Sequence, residues 1–245
     1  MVPHLRQVGK GRSKTDSSDA ELLYRYGIER GHDEAEQLEV DALAESIQAR
    51  LACYRVAQKA RVAYQNVLEA LSQDPATSSE LLAEVRAEIR ELKRKEKQQV
   101  DAAQRLVEEN AATAQRFGLL LSIPGVGPIT ALTLLALFRK YGNANRSQIV
   151  ALSGFDPIQI QSGTSVHGKS RISKRGNREV RRRLYEATLS AARYNPSVRA
   201  IYRRLKEGGK PEKVARTAAA RKLLSIAHVI YQSGEPFREP NQKET

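Results

Sequence analysis

Apolar side chains recur at spacings of three and four along most of the chain, a period that predicts helices. From about Leu38 to Phe117 the stripe is narrow, running through Ile47, Leu51 and Tyr54 and then Leu82, Val85, Ile89, Leu92, Val100, Ala103, Leu106 and Phe117. Asp74-Pro75 is its one strong break. Two long helices joined near Ser72 to Ser78 would bury such a stripe, either folded back as an antiparallel coiled-coil hairpin or paired with a second subunit. Gln58, Glu96 and Asn110 interrupt it and suit a loose or register-fixing pairing. Cys53 falls among these helical positions and reads as a small core residue.

The apolar pattern thickens at Phe117. The run FGLLLSIPGVGPITALTLLALF, ending at Phe138, predicts two helices around the turn Pro124-Gly125-Val126-Gly127. Glycine permits the sharp turn, and Pro128 fits the first turn of the helix that follows. The pattern is similar to a helix-hairpin-helix, in which backbone amides near Gly125 and Gly127 could meet a phosphate; a plain αα-hairpin in the core is the other reading. A short helix from about Arg146 to Leu152 comes next. Gly154 to Arg178 is rich in Gly, Pro, Ser and Thr and reads as a loop, with PIQIQ as a brief strand within it.

Past that loop the helical period returns. Asn177 can cap a helix reaching Tyr194, with Val180, Leu184, Ala187, Ala191 and Tyr194 on one face and Arg178, Arg181, Arg182 and Arg183 turned elsewhere. Pro196 opens a further helix that ends at Gly208-Gly209. Pro211 opens a last one to about Gln232, with Val214, Ala218, Leu224, Ala227 and Tyr231 inward. Residues 235–245 read as a flexible polar tail. Ahead of the long stripe, Lys14 to Gly27 predicts a short helix. There Asp16 can be the N-cap and Asp19 a first-turn acid, or the two carboxylates, neighbours on one helical face, can ligate magnesium.

Charge changes the picture more than length does. At 245 residues the chain can bury a core in one large domain or two smaller ones. Its 41 Lys and Arg against 28 Asp and Glu give +13, and all the surplus is in one segment: between Lys169 and Lys222 there are 18 basic and 4 acidic residues. That asymmetry is the electrostatic footprint of a nucleic-acid partner and implies salt-dependent binding. The absence of Trp favours phosphate contact over base stacking. The single cysteine excludes a disulfide within the chain and a multi-cysteine zinc site. His4, His32, His167 and His228 show no metal-ligand spacing. With no run of about 18 apolar residues and no charged-then-apolar leader, the expectation is a cytoplasmic or nucleoid-associated protein with no membrane contact.

Candidate chemistry centres on Ser162. A serine hydroxyl attacks phosphorus only when held in line and assisted by a base, a metal or concentrated positive charge. Lys169, Arg171, Lys174, Arg175 and Arg178 supply that charge, and Gly163 lets a bulky backbone approach. The residues alone leave open whether Ser162 is a nucleophile or a turn residue bonding its own backbone. Tyr185 is a second possible nucleophile, although its place on the apolar side of a helix suits packing.

Four segments in order, IPGVGPITA (Ile123 to Ala131), LSGFDP (Leu152 to Pro157), QSG (Gln161 to Gly163) and RISKRGNREVRRRLYEA (Arg171 to Ala187), resemble the C-terminal transposase domain of the family numbered one hundred and ten among bacterial insertion sequences, which includes the Piv and MooV DNA invertases. The resemblance covers roughly the C-terminal half. It implies a DNA transposase or recombinase acting on element ends and target, with Ser162 as the nucleophile of a phosphoserine intermediate. Lys169, Arg171, Lys174, Arg175, Arg178 and Arg182 would meet phosphates. It also implies a bridge RNA as guide, a homo-oligomer (dimer or tetramer), and a helical spacer that contributes to assembly. KTDSSDA is similar to the last motif of that family's RuvC-like nuclease domain, which would make Asp16 and Asp19 the end of a magnesium-binding acidic set.

Only fifteen residues precede Asp16, so the resemblance implies a chain that starts near the end of the RuvC-like domain, with an incomplete Mg2+ site. The expected fold is mainly α: residues 1–36 a remnant of the RuvC-like α/β domain, 37–116 the coiled-coil spacer, 117–234 a helical transposase domain containing the helix-hairpin-helix, and 235–245 the tail. A non-catalytic nucleic-acid-binding protein and an inactive transposase remnant are the alternatives.

Overall fold

The computed structural model describes Glu21, Tyr24 and residues 40–162 and 166–239, with backbone alone at 159–162 and 166–170. The chain divides into two compact units, 1–40 and 41–245. In the first, Glu21 and Tyr24 are helical, in keeping with a helix over Lys14 to Gly27. Asp16 and Asp19 lie outside the described residues, as does the rest of the expected remnant over 1–36 apart from Glu21 and Tyr24.

The second unit is mainly helical. α1 (Ala42–Ser72) and α2 (Ser79–Glu108) are joined by a short turn and pack against each other along their lengths as the stripe requires. Asp41 and Ser78 cap their N-termini, each accepting a backbone N–H three residues on, at 2.7 and 3.2 Å. Ile47, Leu51 and Tyr54 of α1 and Val85, Ile89 and Leu92 of α2 are buried, and Arg61 donates to Glu96, pinning the two helices across 35 residues of sequence. Cys53 is exposed, contrary to its expected place in the core. Leu51 and Tyr54 take the inward positions, and Cys53, about 100° round the helix from Tyr54, is turned away.

Asn110 does not fix a register within one long helix. Its side chain accepts from Thr113 N at 2.9 Å and starts a new helix, α3 (Ala111–Leu121). The expected boundary at 116/117 therefore falls inside α3. Ala44, Ile47 and Leu51 of α1 and Ala103 and Val107 of α2 share one apolar cluster with the helices that follow. Farther along the hairpin that support ends: Val62, Tyr64 and Val67 are 40–47 % exposed, since two helices there have only each other to pack on.

The centre of the unit is α4 (Pro128–Lys140), in which every residue from Thr130 to Phe138 is buried. A helix apolar on all sides must be surrounded, and α1, α3, α6 and α8 surround it. α5 (Arg146–Leu152) begins with a capping box in which Asn145 and Gln148 exchange hydrogen bonds. α6 (Arg178–Tyr194), α7 (Pro196–Glu207) and α8 (Glu212–Ser233) follow the expected bounds closely. Three positions are turned differently from the expectation: Tyr194 is 67 % and Val214 49 % exposed, while Arg183 is buried. Past α8, Phe237 packs on the core and its N–H donates to Ser122 Oγ at 2.9 Å, so residues 235–239 are anchored to the body of the fold. No described helix is long and apolar enough to cross a membrane.

Candidate nucleic-acid interface

The segment expected as a loop is instead a β-hairpin. β1 (Pro157–Ser162) pairs antiparallel with β2 (Val166–Ile172), with Pro157 opposite Ile172 and Ser162 opposite Val166. Residues of high β-propensity occupy alternate places in PIQIQ, which explains the first strand. The second, with glycine, histidine and lysine in it, was illegible from propensity and forms because β1 offers it a ladder. The register shifts between Ile158 and Ile160. The backbone of Ser162 lies at the far end of β1, where the ladder stops. Gly163 lies outside the described residues, and for Lys169 the backbone in β2 is described.

The foot of this hairpin is tightly built. Gly154 has φ +67°, and a Cβ placed on Gly176 would lie 2.1 Å from the Leu152 carbonyl oxygen and 2.4 Å from Gly154 N. Only glycine fits either position. Around the pair, Asn177 N donates to Leu152 O at 2.8 Å, Ser173 N to Asp156 O at 2.8 Å, and Lys174 N to Gly154 O at 3.2 Å. Ser173 Oγ donates to the Asp156 carboxylate. Arg181, from the first turn of α6, closes the lock: Nη1 donates to Ser153 O at 2.9 Å and to Gly176 O at 2.7 Å. Arg181, expected among the outward cations, is thus turned onto the foot of the hairpin, and Gly154 and Gly176 are site residues that the helical period does not announce. The signal available was a glycine at each foot of a strand-forming segment.

Beside the lock the candidate cations divide into two sets. Arg171, Lys174, Arg175 and Arg178 are exposed, and no described carboxylate pairs with them. Lys174 holds a positive φ of 57°, which puts a cation at the tip of the tight connection into α6. Arg182 is different. It donates to Glu179 from Nε and Nη2 at 3.2 and 3.0 Å and lies 3.9 Å from Glu186.

Glu179 is a hub. It also accepts from Arg183 Nε at 2.9 Å and from Arg55 Nη1 of α1 at 3.2 Å, so one carboxylate ties the helical hairpin to the start of α6. Burial pushes its pKa up, but the hydrogen bonds and charges of Arg182, Arg183 and Arg55 outweigh that and hold it below the ordinary value. Arg183 is buried, with Glu186 as a second partner and the Tyr54 ring 5.0 Å from its guanidinium. Tyr185 is engaged as well: Arg216 stacks 4.1 Å from its ring and donates to its carbonyl.

The Gly125 turn is drawn into the core. Gly125 has φ +95° and its Cα faces α6 so closely that a Cβ would sit 2.6 Å from Ala191. Packing thus accounts for this glycine, whereas Gly127 is exposed, has open space around it and caps α4 with no side-chain bond. Among the described residues no three His, Cys, Asp or Glu converge to hold a metal ion.

A helical domain presenting a braced β-hairpin and a flank of unpaired cations is the class that the geometry defines. Residues 118–203 match the sequence model of the Transposase IS116/IS110/IS902 family. The matched span contains the Gly125 turn, both feet of the hairpin and the cations beside them. The pilin gene-inverting protein of Moraxella lacunata is 31 % identical over 125 residues, 50 % of this chain and 38 % of the relative. The 43.6 kDa protein of insertion element IS110 of Streptomyces coelicolor is 28 % identical over 117 residues, 47 % of this chain and 29 % of the relative. The 42 kDa protein of insertion element IS900 of Mycobacterium paratuberculosis is 27 % identical over 136 residues. These matches span less than two fifths of the first two relatives' lengths.

Proposed function

We propose that the chain acts on DNA as a transposase or recombinase of an insertion element, with Ser162 as its nucleophile. The supporting observation is the hairpin: within the matched transposase span, a strand braced at its foot carries Ser162 at the far end, and unpaired cations flank the foot. In the proposed step the Ser162 Oγ–H bond breaks and Oγ bonds to phosphorus, while the P–O bond to the leaving deoxyribose oxygen breaks and that oxygen takes a proton. The phosphoserine bond keeps the energy of the broken linkage, so rejoining is the reverse reaction at a new end. Lys169 and Arg171 along β2, and Lys174 and Arg175 at the foot, the other end of β1 from Ser162, hold successive phosphates of the same nucleic acid and offset their charge.

On the same reading Gly127 offers its backbone N–H to a second phosphate, and the assembly is a homo-oligomer guided by RNA, so that base pairing supplies sequence recognition. Asp16 and Asp19 would bind a hydrated magnesium ion, which supplies neutralisation of phosphate charge when bound. The test is a trapping reaction with element-end DNA, the flanking non-coding RNA and magnesium, run on a denaturing gel. A protein–DNA adduct present with wild type and absent with Ser162→Ala is expected. DNA binding with no adduct from either protein would reduce the chain to a binding module.

A further inference from the structure

The hairpin does not use all of the chain's unpaired charge. We propose that α7 and the corner joining it to α8 form a second, separate track for a nucleic-acid phosphodiester backbone, made by Arg193, Arg199, Arg203, Arg204, Lys210 and Lys213. This inference rests on the reading of the chain as a protein that acts on nucleic acid. It adds a contact surface that the hairpin site does not require.

Carboxylate accounting within the basic segment points to it. Glu179 and Glu186 are committed to Arg55, Arg182 and Arg183. Glu212 is held by the Tyr202 hydroxyl, 2.9 Å from each of its oxygens, and by Lys206 at 3.3 Å. Those three acids therefore neutralise internal or neighbouring cations. The fourth, Glu207, is the one exposed acid at the end of α7. Arg193, Arg203, Arg204, Lys210 and Lys213 are all exposed, and no described carboxylate lies within ion-pair distance of them. A fold that simply needed a soluble surface would intersperse acids here.

Geometry makes these cations a row. α7 turns Val198 into the core and packs on α6 and α8, which leaves Arg203 and Arg204 exposed and Arg199 half-buried beside them. Arg199 and Arg203 are one helical turn apart, a rise of about 6 Å. Arg199 Nη1 donates to the Arg193 carbonyl, which brings the two arginines together at the start of the helix. At the other end the chain turns tightly, Lys210 N donating to Leu205 O at 2.9 Å, so Lys210 and Lys213 continue the row round the corner. On α7 itself the arginines span about 7.5 Å, from Arg199 to Arg204, and Arg193 and the two lysines extend the row beyond its ends. It is distinct from the hairpin site, because Arg178 and Arg193 lie at opposite ends of α6, about 22 Å apart along its axis. Four guanidinium forks and two lysine ammonium groups, with no described carboxylate paired to them, suit backbone phosphates and read no sequence.

The test measures binding of the full chain to a labelled duplex DNA and to a structured RNA by fluorescence anisotropy across a potassium chloride series. Wild type is compared with Arg203→Glu/Arg204→Glu/Lys210→Glu, with the milder Arg203→Gln/Arg204→Gln/Lys210→Gln, and with Lys174→Gln/Arg175→Gln at the hairpin foot. Circular dichroism checks that each variant is folded. The expected result is that both α7 variants bind one or both nucleic acids about tenfold or more weakly at low salt, with the slope of log affinity against log salt smaller by about 2–3. Whether DNA or RNA shows the loss identifies which backbone follows the track. Unchanged affinity and slope for both nucleic acids in the folded α7 variants, with wild type and the hairpin variant differing from each other, would overturn the second track alone. No binding of either nucleic acid by wild type would overturn the proposed function and this inference together.

Discussion

Gly154 and Gly176 meet at the foot of the β-hairpin with no room for a side chain on either: a Cβ on Gly154 would lie 2.7 Å from Gly176 N, and one on Gly176 2.4 Å from Gly154 N. The contact fixes how the two strands leave the helical body, and so where Ser162 can reach. Gly176→Ala must push the Leu152 backbone aside, an overpacking cost of about 1–3 kcal/mol. We expect that loss in urea unfolding, together with faster proteolysis within 157–172. Gly118→Ala provides the contrast. Nothing lies within 4 Å of that helical position, so alanine there should stabilise by about 0.5–1 kcal/mol. Equal effects from the two substitutions would rule out the lock.

Glu179 links stability to pH. Its pKa is held below the ordinary value of 4.5: burial acts the other way and is outweighed by Arg182, Arg183 and Arg55. A carboxyl depressed in the folded state contributes stability that is complete above 4.5 and is lost as pH falls through the lower folded value. Glu179→Gln should cost about 1–2 kcal/mol at pH 7, since it leaves the buried Arg183 with Glu186 alone, and the partial exposure of the cluster limits the figure. The difference between wild type and variant should shrink below pH 4. A gap that stayed constant from pH 7 to pH 3 would mean that the carboxylate charge is not what holds the cluster.

His228 acts in a higher window. Burial lowers its pKa from 6.5, against a hydrogen bond to the Ala144 carbonyl at 3.1 Å and with Arg146 adding to the fall. The folded state thus favours neutral imidazole, and its contribution is present above pH 6.5 and lost as pH falls toward the folded value. Thermal melts of wild type should show a decline in this range, before the Glu179 stage, and His228→Gln should remove it. A decline that survived the substitution would assign it to another group.

The helical parts were legible because local signals agreed. Asn177, Pro196 and Pro211 stand at the starts of α6, α7 and α8 as capping and proline preferences require, and the bounds follow. What misled was the period of three and four read without its phase. Arg183 shares α6 with Val180 and Leu184, and only the presence of Glu179, Glu186 and Tyr54 around it makes burial of a guanidinium tolerable. Glu179 and Glu186 stand at helical pairing distances within α6, but the Tyr54 ring comes from α1, so spacing within α6 announces only part of the cluster. Tyr194 was assigned inward by the same period, but α6 ends there and Asn195 starts α7, leaving the ring in solvent. The hairpin was hidden for a related reason, since β2 is a strand by pairing and not by composition.

Arg175 and Arg182 separate the two kinds of cation in the matched domain. Both follow from the same basic run, and sequence alone treats them as equivalent phosphate ligands. Arg175 is exposed and has no described carboxylate partner, whereas Arg182 spends its guanidinium on Glu179 and Glu186. Removing a free phosphate contact lowers the salt slope of DNA binding by about 0.9 and leaves folding nearly untouched. Removing a cation from a partly buried network costs stability, about 1 kcal/mol here, and changes the slope little. We therefore expect Arg175→Gln to reduce the slope by about one with an unchanged urea midpoint, and Arg182→Gln to lower the midpoint with a nearly unchanged slope. The opposite assignment would place Arg182 on the nucleic acid and require Glu179 and Glu186 to release it on binding.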